Sequence, residues 1–329
     1  MCPTTTNLPP IPPPQIPRSS VAAPRPDRPP RPWGELPRAQ EPAAAGLVIV
    51  DKDPGVTSHD IVGAMRRLAG TRKVGHAGTL DPMATGVLIV GLNRATRLLG
   101  HLALHDKAYS ATIRLGASTT TDDAEGEPTG GADASSLSLP QVAVAMGAFR
   151  GAIMQRPSTV SAIKVDGKRA YARARAGENV QLATREVTVG RFEVLAARPV
   201  AGYLDVDVEV ECSSGTYVRA LARDLGDALG VGGHLTMLRR TRIGRYLLDD
   251  AVALDSLTAE TPLMSMAEAA RLSFPVVEID EAGARDVGFG RALDTQVPAA
   301  VTGIIGPSGE LLALYRPDGE CSRPVAVFV

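Results

Sequence analysis

VGHAGTLDPMATGVLIV, residues 74–90, decides how the rest of this chain is read. Its first part is a glycine-punctuated loop, residues 75–86, that holds His76, Thr79 and Asp81; its last part, Val87 to Val90, is a short apolar run with the character of a buried strand. Glycine lets backbone approach a ligand closely, and loops carried on a rigid scaffold are where binding and chemical groups collect. Asp81 precedes Pro82, which biases it toward an extended conformation and turns its carboxylate outward. On local chemistry alone a second reading stays open, a turn in which Asp81 bonds its own backbone.

Upstream, GLVIV at 46–50 predicts a buried strand, and the apolar spacing of Ile61, Val62, Met65 and Leu68 predicts a helix capped by Ser58 and ended by Gly70. Downstream, KAYSATIRLG at 107–116 reads as a strand, TTTDDAEGEPTGG at 119–131 as an exposed turn region, and a helix is expected from about Pro140 to Arg150. In YLDVDVEVEC, 203–212, apolar residues alternate with Asp and Glu, so one face is buried and the other wet. TYVRALARDLGDALG at 216–230 has helical spacing through Val218, Leu221, Leu225 and Leu229. Strands and helices mix without a βαβ rhythm, so the expected class is α+β with a mixed, largely antiparallel central sheet. From about residue 272 short strands separated by Gly and Pro predict a small β-rich appended domain. Residues 1–45 hold 14 of the 26 prolines and no apolar periodicity, which predicts a disordered tail.

At 329 residues the chain has room for one large and one small folded unit. It has no apolar run long enough to span a bilayer, and its three cysteines, Cys2, Cys212 and Cys321, lack the spacing of a zinc site and suit a reducing cytoplasm. The formal net charge of −1 conceals a split: residues 246–329 carry −8 and the remainder +7. A basic body of that size is modest support for a nucleic-acid partner. Neither a Walker A sequence nor GxGxxG occurs.

The segment GHAGTLDPMATGVLIVGLNRATR resembles the catalytic segment of TruB-type tRNA pseudouridine synthases, whose shared pattern is approximately GHxGxLDPxAxG. DKDPGVTSHDIV (51–62), KAYSATIRLG, RGAIMQRPSTVSAIKVDGKRAYARARAG (150–177), CSSGTYVRALARDLG and HLTMLRRTRIGRY follow in the family's order, so the resemblance spans residues 46 to about 255. It implies the pseudouridine synthase fold over 46–255 with a thumb-like insertion at about 158–177, and a PUA-like domain over 272–329. It also implies an isomerase acting on uridine 55 in the T stem-loop of tRNA, with Asp81 as nucleophile, Arg219 as its cationic partner and Tyr109 as a stacking and proton-handling group. His76 would pack near the displaced base, Tyr217 and Leu238 would line the pocket, and Lys52 would support it. Lys164, Lys168 and Arg169, with Arg173 and Arg175, suit phosphate contacts from the thumb. The isomerisation involves no redox change, so no cofactor and no metal are implied; a cytoplasmic monomer without a membrane partner is expected.

The sequence departs from the pattern in three places. DKDPG replaces the usual DKPxG, Val160 stands where relatives often have tyrosine, and the acidic charge after residue 246 opposes phosphate. Two other functions compete: a tRNA-binding or folding chaperone, which needs the clamp but not the carboxylate, and a guide-RNA-dependent synthase working inside a particle. A glycosidase is weaker, because no second motif carboxylate stands as an acid partner.

Overall fold

In this computed structural model the described residues are 36–159, 164–165, 168–169 and 182–329. Most of the expected thumb, including Val160, Arg173 and Arg175, and the tail before residue 36 lie outside them.

The chain enters through β1 (Gly46–Lys52) and α1 (Ser58–Leu68), then β2 (Val74–Ala77) and β3 (Thr85–Leu92). The α1 cap is Thr57, whose hydroxyl accepts from the Asp60 amide while the Asp60 carboxylate accepts from the Thr57 amide; Ser58, the expected cap, is the first helical residue and bonds elsewhere. The predicted loop is therefore shorter than its glycines suggest, because residues 74–77 pair with β3. A short α2 (Leu99–Leu102) leads to β4 (Lys107–Leu115) and a hairpin of β5 (Ser118–Thr119) and β6 (Pro128–Gly130). Next come α3 (Leu139–Gly147), β7 (Gly151–Gln155), and two short paired strands, β8 (Lys164–Val165) and β9 (Lys168–Arg169). The long hairpin β10 (Arg185–Val200) and β11 (Tyr203–Cys212) follows, then α4 (Val218–Ala228), β12 (Gly233–Ile243), β13 (Tyr246–Leu247) and β14 (Val252–Ala253). The chain ends with α5 (Met266–Ser273), β15 (Val276–Glu278), α6 (Glu281–Gly288), β16 (Thr302–Ile305), β17 (Leu311–Asp318) and β18 (Cys321–Val327).

The large sheet runs β14-β1-β3-β12-β4-β11-β10-β7, with β2 on β3 and β13 on β12. Pairing is antiparallel except for β1 with β14 and β3 with β12, so the α+β expectation holds. On one side Ile113, Val206, Val208 and Val210 meet Val142 and Met146 of α3 and Leu221 and Leu225 of α4. On the other half of the sheet Val48, Val50, Leu88 and Val90 meet Ile61, Met65 and Leu68 of α1. Each fully buried aliphatic side chain here contributes on the order of 2 kcal/mol of transfer free energy.

The C-terminal sheet, β15-β16-β17-β18, packs against the body through the cluster holding Leu47, Val87, Leu98, Leu314 and Phe328. Arg94 Nη1 donates to the Phe328 carbonyl at 2.9 Å, and the Tyr246 hydroxyl donates to the Ala269 carbonyl at 3.1 Å. Two helices accompany these strands: α5, capped by Ser265, precedes β15, and α6, capped by Asp280, lies between β15 and β16. Order also begins before Gly46. The Ala39 and Ala43 amides donate to the Arg67 and Ala69 carbonyls at 3.2 and 2.9 Å, which fixes part of the expected tail against α1.

The parallel junction of β3 and β12 is where the topology matters for function. Arg240 of β12 pairs with Gly86 of β3 on one side and Tyr109 of β4 on the other. Gly86 has φ +97°, and a Cβ there would lie 2.2 Å from the Arg240 carbonyl oxygen, so only glycine fits. This close approach brings the loop before β3 beside β4 and the N-terminus of α4.

Candidate active site

Asp81 sits in a cleft lined by the loop Gly78–Asp81, Tyr109 and Lys107 of β4, Arg240 and Leu238 of β12, Arg185, and Tyr217 and Arg219 at the start of α4. Three groups staple the loop that carries it. The Ser58 hydroxyl accepts from the Leu80 amide at 2.9 Å and donates to the Leu80 carbonyl at 3.1 Å. The Gly55 amide donates to the Pro82 carbonyl at 2.9 Å from a turn whose φ of +76° suits glycine, so DKDPG still forms a tight turn against the loop. Lys52, wholly buried, donates from Nζ to the carbonyls of Asp53, Pro82 and Ala84 at 2.8, 3.1 and 2.6 Å. Burial lowers the Lys52 pKa to about 8. Lys52 is thus a support behind the loop and lines no part of the cleft.

Asp81 and Arg219 come together: Arg219 Nε lies 2.9 Å from Asp81 Oδ2. The Arg219 side chain is 3% exposed while that of Asp81 is 36% exposed, so a buried guanidinium presents an accessible carboxylate to the cleft. Desolvation pushes the Asp81 pKa above the ordinary carboxylate range, and the Arg219 charge pulls it back. Arg219 Nη1 also lies 3.3 Å from Asp123 Oδ2 and donates to the Thr121 carbonyl at 2.7 Å. Asp123 belongs to the stretch read as an exposed turn, yet it is buried; its Oδ1 accepts from the Glu125 amide at 3.1 Å. Tertiary packing draws it inward: residue 123 bridges to Leu235 of β12 and Arg219 reaches it from α4.

Tyr109 is buried, with the Arg240 guanidinium close to its hydroxyl. Arg240 in turn donates from Nε to the Val87 carbonyl at 2.7 Å and from Nη2 to the Gly78 carbonyl at 2.9 Å, tying β3, the loop and Tyr109 together. Burial raises the Tyr109 pKa, so the phenol keeps its proton at neutral pH. Lys107, its pKa lowered by burial to about 8, donates to the Ala103 and His105 carbonyls beside this wall. Leu238 is buried and lines the cleft, as does Tyr217. The Gln155 side chain holds the Tyr217 peptide in both directions, accepting from its amide at 2.8 Å and donating to its carbonyl at 3.1 Å. His76 lies on β2, half-buried, and does not line the cleft. For Lys164, Lys168 and Arg169 only the backbone of the β8 and β9 pairing is described, with Lys164 opposite Arg169 and Val165 opposite Lys168.

Asp123, Arg240, Lys107, Gln155 and Arg185 join the site in the folded chain without being singled out by the motifs. Arg240 and Lys107 stand inside motif strings, two residues from Leu238 and Tyr109 on the same strand faces, which is a usable signal. Asp123 carries none, and Gln155, though inside the segment 150–177, gives no sign of its role, because their partners are about 96 and 62 residues away.

Family models match the chain end to end from residue 66. TruB family pseudouridylate synthase (N terminal domain) covers 66–218, tRNA pseudouridylate synthase B C-terminal domain covers 219–277, and tRNA Pseudouridine synthase II, C terminal, covers 274–329. The chain is 60% identical over 292 residues to a protein of Cutibacterium acnes named tRNA pseudouridine synthase B, covering 87% of this chain and 98% of that one. It is 58% identical to a protein of the same name from Nocardia farcinica, with 86% and 92% covered. Among solved structures, a chain of a Cbf5-Nop10-Gar1 complex superposes with a TM-score of 0.65 at 27% identity, covering 86% of this chain and 85% of that one. With its cleft, its loop aspartate and these matches in hand, the chain belongs to the TruB family of pseudouridylate synthases.

Proposed function

We infer that this protein is an isomerase that converts a uridine of tRNA to pseudouridine, acting on position 55 in the T stem-loop with Asp81 as nucleophile. The observation that carries the reading is the 2.9 Å pairing of Asp81 with the buried Arg219 at a cleft whose walls are Tyr109, Tyr217 and Leu238. Isomerisation breaks the bond between N1 and ribose C1′, turns the base, and joins C5 to C1′; the C5 proton leaves and N1 gains one, so nothing is lost. A carboxylate suits this because it can form and release a covalent bond without a cofactor or a metal. Arg219 keeps it ionised in a site that strips away water. Tyr109 and Leu238 offer the flat and apolar surfaces that receive an everted pyrimidine, and the phenol beside Arg240 is placed to handle a proton.

Residues 46–255 make up the catalytic body, and 272–329 a PUA-like appendage. His76 packs against the T loop, and Lys164, Lys168 and Arg169 contact its phosphates, readings supported by charge and by motif position. The protein works in the cytoplasm as a monomer, on tRNA directly. A guide-dependent particle is less favoured, since identity to the bacterial relatives is 58–60% against 27% for the Cbf5 complex. The test uses unmodified tRNA transcript with no added metal or nucleotide, and mass-spectrometric mapping of pseudouridine. Wild type is expected to modify position 55, and Asp81→Asn to bind but not modify. Full modification by Asp81→Asn refutes the nucleophile, and retained binding with no modification by wild type supports a chaperone instead.

A further inference from the structure

Arg185, the first residue of β10, lines the same cleft as Asp81 and Tyr217. Its guanidinium lies over the Tyr217 ring, with Cζ 4.7 Å from the centroid. Its Nε and Nη2 are shielded from solvent and have no acceptor among the described residues. The other cations of the cleft are satisfied by protein groups: Arg219 by Asp81 and Asp123, Arg240 by two carbonyls, Lys107 by two carbonyls. Two shielded N–H donors of a half-buried guanidinium without an acceptor are unfavourable, and such donors persist where their partner arrives with a ligand.

The seat of Arg185 is built. Gln155 faces Arg185 across the β7 and β10 pairing and, wholly buried, clamps the Tyr217 peptide, so the backbones that carry ring and guanidinium are fixed at one wall of the cleft. The stacked guanidinium leaves its N–H fork directed along its own plane, which matches two oxygens of one anion better than a single carbonyl. On the reading that the substrate is RNA, the anion available is a phosphodiester. We propose that Arg185, stacked on Tyr217, is a positioning residue that grips a phosphodiester flanking the target uridine and so anchors the strand while the base turns beside Asp81.

The test measures single-turnover pseudouridine formation by the full chain on T stem-loop RNAs. Substrates carry either ordinary phosphates or one neutral methylphosphonate, placed 5′ or 3′ of the target uridine. Arg185→Met is expected to lower kcat/KM on the ordinary RNA by about 30-fold, as expected for losing a charge-assisted fork. For wild type one of the two methylphosphonates should produce a similar loss. Combined, variant and modified RNA should lose no more than about two-fold further, because both delete the same contact. Arg185→Lys, which keeps charge but not the fork, should fall between. The thermal midpoint of free Arg185→Met should be unchanged or raised, since two shielded, unsatisfied donors have been removed.

Losses that multiply at both positions, or a variant within two-fold of wild type, overturn the assignment. So does a fall in thermal midpoint, which would make Arg185 structural. Wild type that forms no pseudouridine on any of these RNAs would instead overturn the function on which the inference rests.

Discussion

Arg219→Met separates what the buried guanidinium does for folding from what it does for chemistry. Arg219 bridges two carboxylates of different standing: Asp123, whose side chain is 3% exposed, and Asp81, whose side chain is 36% exposed. Removing the cation leaves Asp123 as a buried charge supported only by local donors such as the Glu125 amide. Breaking a buried pair from one side is worth roughly 3 to 5 kcal/mol, and the surviving bonds place this case near the lower end, about 3 kcal/mol. For a domain of this size that is a fall of about 6–10 °C in thermal midpoint. The Asp81 side contributes little to that figure because water still reaches it. Its effect is on rate: without the guanidinium the carboxyl pKa, already raised by burial, climbs further, and each unit above the working pH removes about ten-fold of the ionised form. With orientation lost as well, single-turnover pseudouridine formation should fall by at least ~10³-fold. Adding Asp123→Asn should recover most of the midpoint and none of the rate. A single variant within ten-fold of wild type, or a double variant that recovers rate along with stability, refutes the division of labour between the two acids.

Three further outcomes are expected. Gly86→Ala should destabilise the protein by at least about 3 kcal/mol in denaturant titration, because φ +97° and the 2.2 Å approach to the Arg240 carbonyl both forbid a side chain; an unchanged midpoint would mean that β3 and β12 can separate at little cost. The Lys52 pKa is depressed to about 8, so between about 8 and its unfolded value of 10.5 the unfolded chain binds more protons and stability rises with pH, while the loop loses its charged donor and activity falls; Lys52→Arg, which does not titrate, should remove that share of the alkaline decline in kcat/KM. The Asp81 pKa is raised, so kcat/KM should fall on acidification with a midpoint above the usual ~3.9 of an aspartate, and the penalty on its ionised form is one that Asp81→Asn relieves at neutral pH; a drop in thermal midpoint for Asp81→Asn would contradict this.

Where periodicity was intact, the sequence was a sufficient guide. The alternation in YLDVDVEVEC matches the span of β11 and its burial except at Asp205, which is buried against Arg114, and the apolar stripe Val218, Leu221, Leu225 is the buried face of α4. The long β10 escaped notice because its pairing with β11 shifts register after Val189 and again after Val194, and each bulge resets the two-residue rhythm on which strand recognition depends. The Thr57 cap, the capping box at Ser265 and Glu268, and the Asp280 cap were written in the sequence but are brief local signals beside longer strand patterns.

By itself the order of residues determined which chemistry-bearing groups exist and what scaffold class carries them: a carboxylate before a proline in a glycine loop, an arginine at the head of an amphipathic helix, a tyrosine in a strand. These are local properties, set by backbone sterics and side-chain spacing. Only the tertiary structure decided the company each group keeps. Asp123 was joined to Arg219, Gln155 to Tyr217, Arg240 to Tyr109, and Arg185 was left over a ring without an acceptor among the described residues. Charge pairing acts over a few ångströms of space while its partners stand tens of residues apart, so a buried cation's counter-ion is a property of the fold and not of the string.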